Sequence, residues 1–351
     1  MDVASALLRE ISAPVAPPVV PVALTGSAGL SRGDGCRSLD ELLGEADSAL
    51  YRAKTQSGNC AVAYRSEHRS RAAERLTMEA ELQDVLAHQT MRLEFQPIVT
   101  LADGAVSAFE ALARWRHPTR GEVPPAAFIP LAEETGLILT LGQQVFHLAC
   151  RQLREWQQTG LLPPDGSVAI NTSVTQLRDP AWLETVQAVI AETGVDPAGI
   201  KLEITEGILL EDLEYARNLF VKLQDLGVKI ALDDFGTGHS SLNYLQHLAV
   251  DWIKIDRSFV HQLTSVSRKK RIVQSVLELS GKLGISVVAE GIELAPDYRW
   301  LRMMDCRFGQ GYYISKPLPA AEATAFASQR MGPFRSESAS RRINDAIPHT
   351  G

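Results

Sequence analysis

The chain has 351 residues, 45% of them hydrophobic, and a formal net charge of -7, enough for two domains or for one barrel of about 250 residues with extensions. The acidic balance argues against a nucleic-acid polymer as partner, because such binding rests on basic surface. No uninterrupted apolar run reaches the roughly 18 residues of a spanning helix, the Pro-rich start lacks a signal-peptide pattern, and Cys36, Cys60, Cys150 and Cys306 form no Cys-x-x-Cys pair. The expectation is a soluble, cytoplasmic protein without membrane contact and without a disulfide or zinc framework.

The opening stretch reads as a helix from Val3 to Ile11, a Pro-broken extended run from Val19 to Leu24, a polar turn, a helix from Leu39 to Thr55 and a short strand from Cys60 to Tyr64. Ser38 with Glu41 three residues on is a capping box for the second helix. One helical face and two short strands bury too little apolar area to offset chain entropy, so residues 1–65 form a partial α/β fragment rather than a domain. Residues 66–90 are charged and helix-prone, with Leu76, Leu82, Val85 and Leu86 at helical spacing, and read as a linker helix.

From Leu93 onward, strand-like runs (LEFQPIV, VSAFEALARW, VAINTS, IKLEIT, KIALDD, WIKID, SVVAEGI, RFGQGYYI) alternate with helical stretches such as Leu139 to Thr159 and Lys269 to Leu283. Eight strands with intervening helices predict an α/β fold, a modified (β/α)8 TIM-like barrel over residues 91–331. The link Ala102-Asp103-Gly104-Ala105 is too short for a crossover helix, so the first strand should run antiparallel to the second. Residues 332–351 are polar and predict a disordered tail.

Glu110, Glu203, Asp233, Asp234, Glu290 and Glu293 stand toward the downstream ends of apolar runs, as buried parallel strands do when they deliver functional groups to a barrel rim. Carboxylates gathered in one cavity repel one another unless a divalent cation is present, which points to metal-assisted chemistry on a phosphate. Neighbouring strand residues face opposite ways, so Asp233 and Asp234 can share a site only if the strand has just ended and the backbone turns at Phe235-Gly236-Thr237-Gly238; simple capping of a helix starting near Ser240 is the competing reading. Asn171 ends its run with an amide oxygen acceptable to a hard metal, although alone it also reads as a turn residue. Lys254 is a cation inside an apolar strand and needs acidic company. It could orient an attacking water or offset transition-state charge, or form a plain ion pair with Asp256 or Glu203. The Gly-flanked Gln310 is a weak signal, and His117, His147, His239, His247 and His261 read as surface or packing residues.

These ordered motifs resemble the EAL domain, the bacterial cyclic di-GMP phosphodiesterase family, from about Leu93 to Leu318, with the naming motif at Glu110-Ala111-Leu112. The resemblance implies hydrolysis of cyclic di-GMP to linear pGpG with two Mg²⁺ or Mn²⁺ ions, and metal ligands at Glu110, Asn171, Glu203, Asp233, Asp234 and Glu290. It assigns Lys254 to the water between the metals, with Glu110, Asp234 and Glu290 counted beside it as catalytic, and Gln96, Arg114, Glu293 and Gln310 to the substrate's surroundings. Glu206 resembles the acid that steadies the loop Asp233 to Ser241, which couples the site to a homodimer through the barrel. The opening residues resemble the tail of a GGDEF domain without its signature, so no cyclase activity is implied. A cyclic di-GMP receptor without catalysis is the alternative, although the ligand set is complete. A Schiff-base lysine at Lys254 is disfavoured, because surrounding carboxylates keep that amine protonated.

Overall fold

A computed structural model of the chain describes residues 2–12, 25–33, 38–56, 59–64, 66–205, 213–236 and 248–330. The extended run from Val19 to Leu24, most of the turn after Phe235, the helix start near Ser240 and the tail beyond residue 331 lie outside them. The chain divides into two compact units, Met1–Asp84 and Val85–Gly351.

In the first unit, helix Asp2–Ile11 precedes strand β1 (Ala28–Leu30), helix Leu39–Gln56 and strand β2 (Ala61–Ala63). The two strands pair in parallel, Ala28 opposite Ala61 and Leu30 opposite Ala63. The Ser38 cap is formed: the Glu41 amide donates to Ser38 Oγ over 3.3 Å and the Ser38 amide to Glu41 Oε2 over 2.9 Å. β1 escapes sequence reading because Ala-Gly-Leu carries no β-branched or aromatic residue. Helix Ser66–Ala87 follows.

The second unit begins with the hairpin of β3 (Arg92–Thr100) and β4 (Val106–His117), antiparallel as the short link requires. The Thr100 amide donates to the Ala105 carbonyl over 2.9 Å, and Asp103 Oδ1 accepts from the Ala105 amide over 3.0 Å. The chain then runs through β5 (Gly121–Val123), β6 (Ser167–Asn171), β7 (Ile200–Thr205), β8 (Lys229–Phe235), β9 (Trp252–Ile255), β10 (Ser286–Ala289), β11 (Phe308–Gly309) and β12 (Leu318–Pro319). Hydrogen bonding runs β3-β11-β10-β9-β8-β7-β6-β4 and returns to β3, which closes an eight-stranded barrel, while β5 and β12 extend it. β11 is shorter than the run RFGQGYYI suggests, because Gly311, at φ 156°, packs against the Ile292 backbone and the chain leaves the sheet there.

Helices cover the outside. The longest of this unit, Ile138–Thr159, buries Ile138, Leu141, Val145, Ala149, Leu153 and Trp156 along one stripe, the spacing of a helix laid on a sheet. Trp156 packs edge-on to Phe95, ring centroids 4.9 Å apart, and against Phe109 at 4.6 Å. Its indole N–H donates to Thr324 Oγ1 over 2.8 Å, which ties the terminal helix Ala320–Gln329 to the same layer. Inside the barrel, Ile98, Ala108, Val288 and Phe308 form a buried apolar floor with Trp252 packed against it.

Trp156→Ala removes a large buried ring and should cost about 3–5 kcal/mol, whereas Thr324→Val leaves the indole N–H buried without an acceptor and should cost about 1–3 kcal/mol. Urea denaturation followed by tryptophan-independent far-UV dichroism reads both.

Candidate active site

Strand register decides which side chains meet above the apolar floor. Gln96 on β3 lies opposite Glu110 on β4, Glu110 opposite Ala169 on β6, Asn171 opposite Glu203 on β7, and Lys254 opposite Val288 on β10. Alternation along each strand sets these on the inner face at one height. Lys254, 2% exposed, is the hub. Its Nζ lies 2.7 Å from Glu203 Oε2, 2.7 Å from Glu290 Oε1, 3.3 Å from Asp233 Oδ1 and 3.7 Å from Glu110 Oε1. Of the two ion pairs raised from sequence, Glu203 is formed, while Asp256 instead accepts from the Ser258 amide and caps a short helix.

Side-chain amides hold both carboxylate oxygens of Glu110. Asn171 Nδ2 donates to Glu110 Oε1 over 2.8 Å, and Gln310 Nε2 donates to Glu110 Oε2 over 2.6 Å and to Gln96 Oε1 over 2.9 Å. Gln96 in turn donates to the Ser315 carbonyl over 3.1 Å. The Gly-flanked glutamine, weak as a sequence signal, is thus 3% exposed and joined to two strands of the barrel. Their spacing in the sequence does not link Gln96, Gln310 and Glu110; the β3–β4 register and the Gln310 hydrogen bonds do.

Asp233 and Asp234 meet by a route the sequence reading had otherwise. The strand does not end before them. β8 continues to Phe235, and its pairing with β9 is interrupted between Leu232 and Phe235, with Asp234 at φ 54°. This bulge cancels the alternation within the strand, so both carboxylates turn to one side. Oxygens of Asp233, Asp234 and Glu290 lie within 4.8 Å of one another.

Arg114 stands four residues beyond Glu110 on the same face of β4, with Nε donating to Glu94 Oε2 over 2.7 Å. Glu293 is not drawn to Lys254. It pairs with Arg257 at 2.7 Å and stands 3.2 Å from His261 Nδ1, so this histidine, read from sequence as surface or packing, has an acidic neighbour. Glu206 and residues 237–241 of the loop it was expected to steady lie outside the described residues. Lys201, unremarked in the sequence, is 3% exposed with Nζ 3.0 Å from the centre of the Trp252 ring. Burial, with help from the Lys229 charge, lowers that amine to about 7.

Electrostatics follow from crowding. Burial disfavours charge on Lys254, but Glu110, Glu203, Glu290 and Asp233 together outweigh it and hold the ammonium well above its ordinary range. Burial pushes Glu203 well up against the pull of Lys254, aided by the neighbouring carboxylates. Burial also raises Glu290, to about 8, with Lys254 opposing and Asp233 and Glu110 assisting. For Glu110, burial is overcome by Lys254 and by the hydrogen bonds from Gln310 and Asn171, and its carboxyl is lowered. Burial and the neighbouring carboxylates together outweigh the one ammonium at Glu203 and Glu290, so these acids favour the protonated form. An acid whose native pKa exceeds its unfolded value binds more protons when folded, and stability falls as pH rises through the window between them. In chelator-treated protein the thermal midpoint should therefore fall between about pH 4.5, the ordinary glutamate value, and about pH 8, and Glu290→Gln should flatten that slope in a pH series of melts.

Residues 79–317 match the family model of the EAL domain. An uncharacterized signaling protein of Caulobacter vibrioides is 39% identical over 328 residues, covering 93% of this chain and 40% of the relative. The cyclic di-GMP phosphodiesterase NbdA of Pseudomonas aeruginosa is 36% identical over 324 residues, covering 91% and 41%. The chain thus spans well under half the length of these relatives. Among solved structures, the PaMucR phosphodiesterase in complex with c-di-GMP superposes with TM-score 0.66 at 35% identity, over 70% of this chain and 98% of that one. The EAL enzyme Bd1971 with cAMP and cyclic di-GMP bound gives TM-score 0.69 at 30% identity, over 73% and 69%. A closed barrel with an antiparallel first strand, an Glu-Ala-Leu motif facing its mouth and this breadth of similarity lead to one conclusion: the chain belongs to the EAL domain family.

Proposed function

We propose that the chain is a phosphodiesterase that hydrolyses one phosphodiester bond of cyclic di-GMP to give linear pGpG. The observation that carries this reading is the set of four carboxylates within 4 Å of one buried ammonium at the barrel mouth. The activity of NbdA and the cyclic di-GMP bound to PaMucR support the choice of substrate.

Two divalent cations, Mg²⁺ or Mn²⁺, belong to this reading, and the residues present fit them. Glu110, Asn171, Glu203, Asp233, Asp234 and Glu290 offer hard oxygen donors without sulfur. Burial and then the neighbouring carboxylates raise Glu203 and Glu290 against the pull of one lysine, a penalty on their ionised forms that divalent cations would relieve. When bound, such ions neutralise phosphate charge and make a water more acidic.

The protein's own groups do the rest. Lys254 donates to the attacking water and fixes its oxygen toward phosphorus, while its charge offsets that of the five-coordinate transition state. The water forms the new P–O bond, the P–O3′ bond breaks, and the water's proton passes to the departing 3′ oxygen. Gln310 and Asn171 hold both oxygens of Glu110, so this carboxylate keeps one orientation through the reaction. Arg114, steadied by Glu94, offers its remaining guanidinium donors to the dinucleotide's phosphate. We read the N-terminal unit as the tail of a GGDEF domain, supported by its parallel strands flanking a capped helix. A homodimer through the barrel belongs to the same reading and is checked by light scattering.

Purified protein given Mg²⁺ and cyclic di-GMP should produce pGpG on anion-exchange chromatography. Glu110→Ala and Lys254→Met should each lower kcat by about 10²-fold or more while the barrel still melts cooperatively. Tight nucleotide binding with no pGpG would replace the hydrolase by a receptor.

A further inference from the structure

The carboxylates of the cluster come from strands that touch at their ends, and a four-residue helix sits across those ends. Arg257–Val260 begins two residues after β9, the strand that carries Lys254, and Asp256 caps it by accepting from the Ser258 amide over 2.9 Å. On one side it meets the loop that follows Glu290. Gly291 adopts φ 64°, and a Cβ there would lie 2.2 Å from Arg257 Cγ and 2.6 Å from Arg257 Cβ. The arginine stem therefore lies flat on the Gly291 backbone, and its guanidinium reaches past the glycine to Glu293 Oε1 at 2.7 Å. On the other side it meets the segment that follows Asp234. Gly236 adopts φ 95°, and a Cβ there would stand 3.1 Å from Phe259 Cε2.

Backbone hydrogen bonds extend the contact on the Glu290 side. The Glu290 amide donates to the Ile255 carbonyl over 3.1 Å and the Ile292 amide to the Gln310 carbonyl over 3.0 Å. The His261 carbonyl accepts from Lys269 Nζ over 2.7 Å, which fixes the far end of the helix to the next one, Ser267–Leu283. The helix is thus anchored at both ends and touches the segments bearing the Asp233-Asp234 pair and Glu290. Those three residues supply oxygens within 4.8 Å of one another.

We infer that Arg257 and Phe259 are positioning residues that set the separation between the Asp233-Asp234 carboxylates and Glu290, and thereby the affinity of that trio for a divalent cation. This inference rests on the two-cation reading above, extending it to residues outside the ligand set. The Arg257 side chain is 62% exposed, so its ion pair alone contributes little. Its effect comes from the stem on Gly291, where the absence of a Cβ lets it lie so closely. Residues that orient metal ligands typically alter affinity by about 10–100-fold when removed, and the lower end suits a contact made through backbone.

The test is a Mn²⁺ titration of the full chain followed by electron paramagnetic resonance, with thermal melts as control. Arg257→Ala should weaken Mn²⁺ binding about tenfold, and Arg257→Lys, which keeps stem and charge, should stay within about twofold of the parent. Turnover of cyclic di-GMP at saturating Mn²⁺ should recover in Arg257→Ala with unchanged KM. Mn²⁺ affinity in a folded Arg257→Ala protein equal to the parent's overturns the inference. Failure of the parent itself to bind Mn²⁺ overturns the two-cation reading instead. If Arg257→Ala melts too low to titrate, Arg257→Ser, which also lacks the Cγ and Cδ that rest on Gly291, is read by the same two outcomes.

Discussion

The ammonium of Lys254 touches carboxylates from four different strands or strand ends, and the mouth of the barrel is arranged around that contact. A buried cation without partners is among the costliest groups a fold can hold, and so are four carboxylates pressed together. Each supplies what the other lacks, though not in equal number. Burial, aided by that imbalance, raises Glu203 and Glu290 above the glutamate range, while Lys254 and two amides keep Glu110 low. A site left with surplus negative charge is prepared for cations, and the hard oxygen character of its donors narrows which ones.

Placement comes from the backbone before it comes from side chains. The barrel's closed hydrogen bonding leaves little freedom of register, and a slip of one residue would turn every inward carboxylate outward. The β3–β4 hairpin contributes the pair Gln96 and Glu110, directly opposite each other, and Gln310, just past the end of β11, joins both. Asp234 is the exception to alternation, and a bulge with left-handed backbone makes that exception.

Much of this was legible in the chain. The eight apolar runs, the hairpin enforced by a four-residue link, and the acids at strand ends all follow from local rules of period, length and polarity. Lys254 was recognisable because a cation in WIKID violates the apolar pattern around it. What was hidden depends on distant partners or on backbone angles. The bulge at Asp233-Asp234 replaces an expected strand end, since nothing local distinguishes left-handed aspartate inside a strand from aspartate after it. Glu293 shares the pattern of the other acids yet turns to Arg257 and His261, a choice made by the loop after Glu290 rather than by residue type. Lys201 lies in the same run as Glu203, but only the fold reveals that its amine rests on the Trp252 ring.

The apolar floor of Ile98, Ala108, Val288, Phe308 and Trp252 has a bearing on traffic. It fills the barrel below the acidic layer with packed apolar side chains, so the layer is approached from the mouth. Under the proposed hydrolysis, a linear dinucleotide that lingers would block the next cyclic one. Departure and arrival then share one queue.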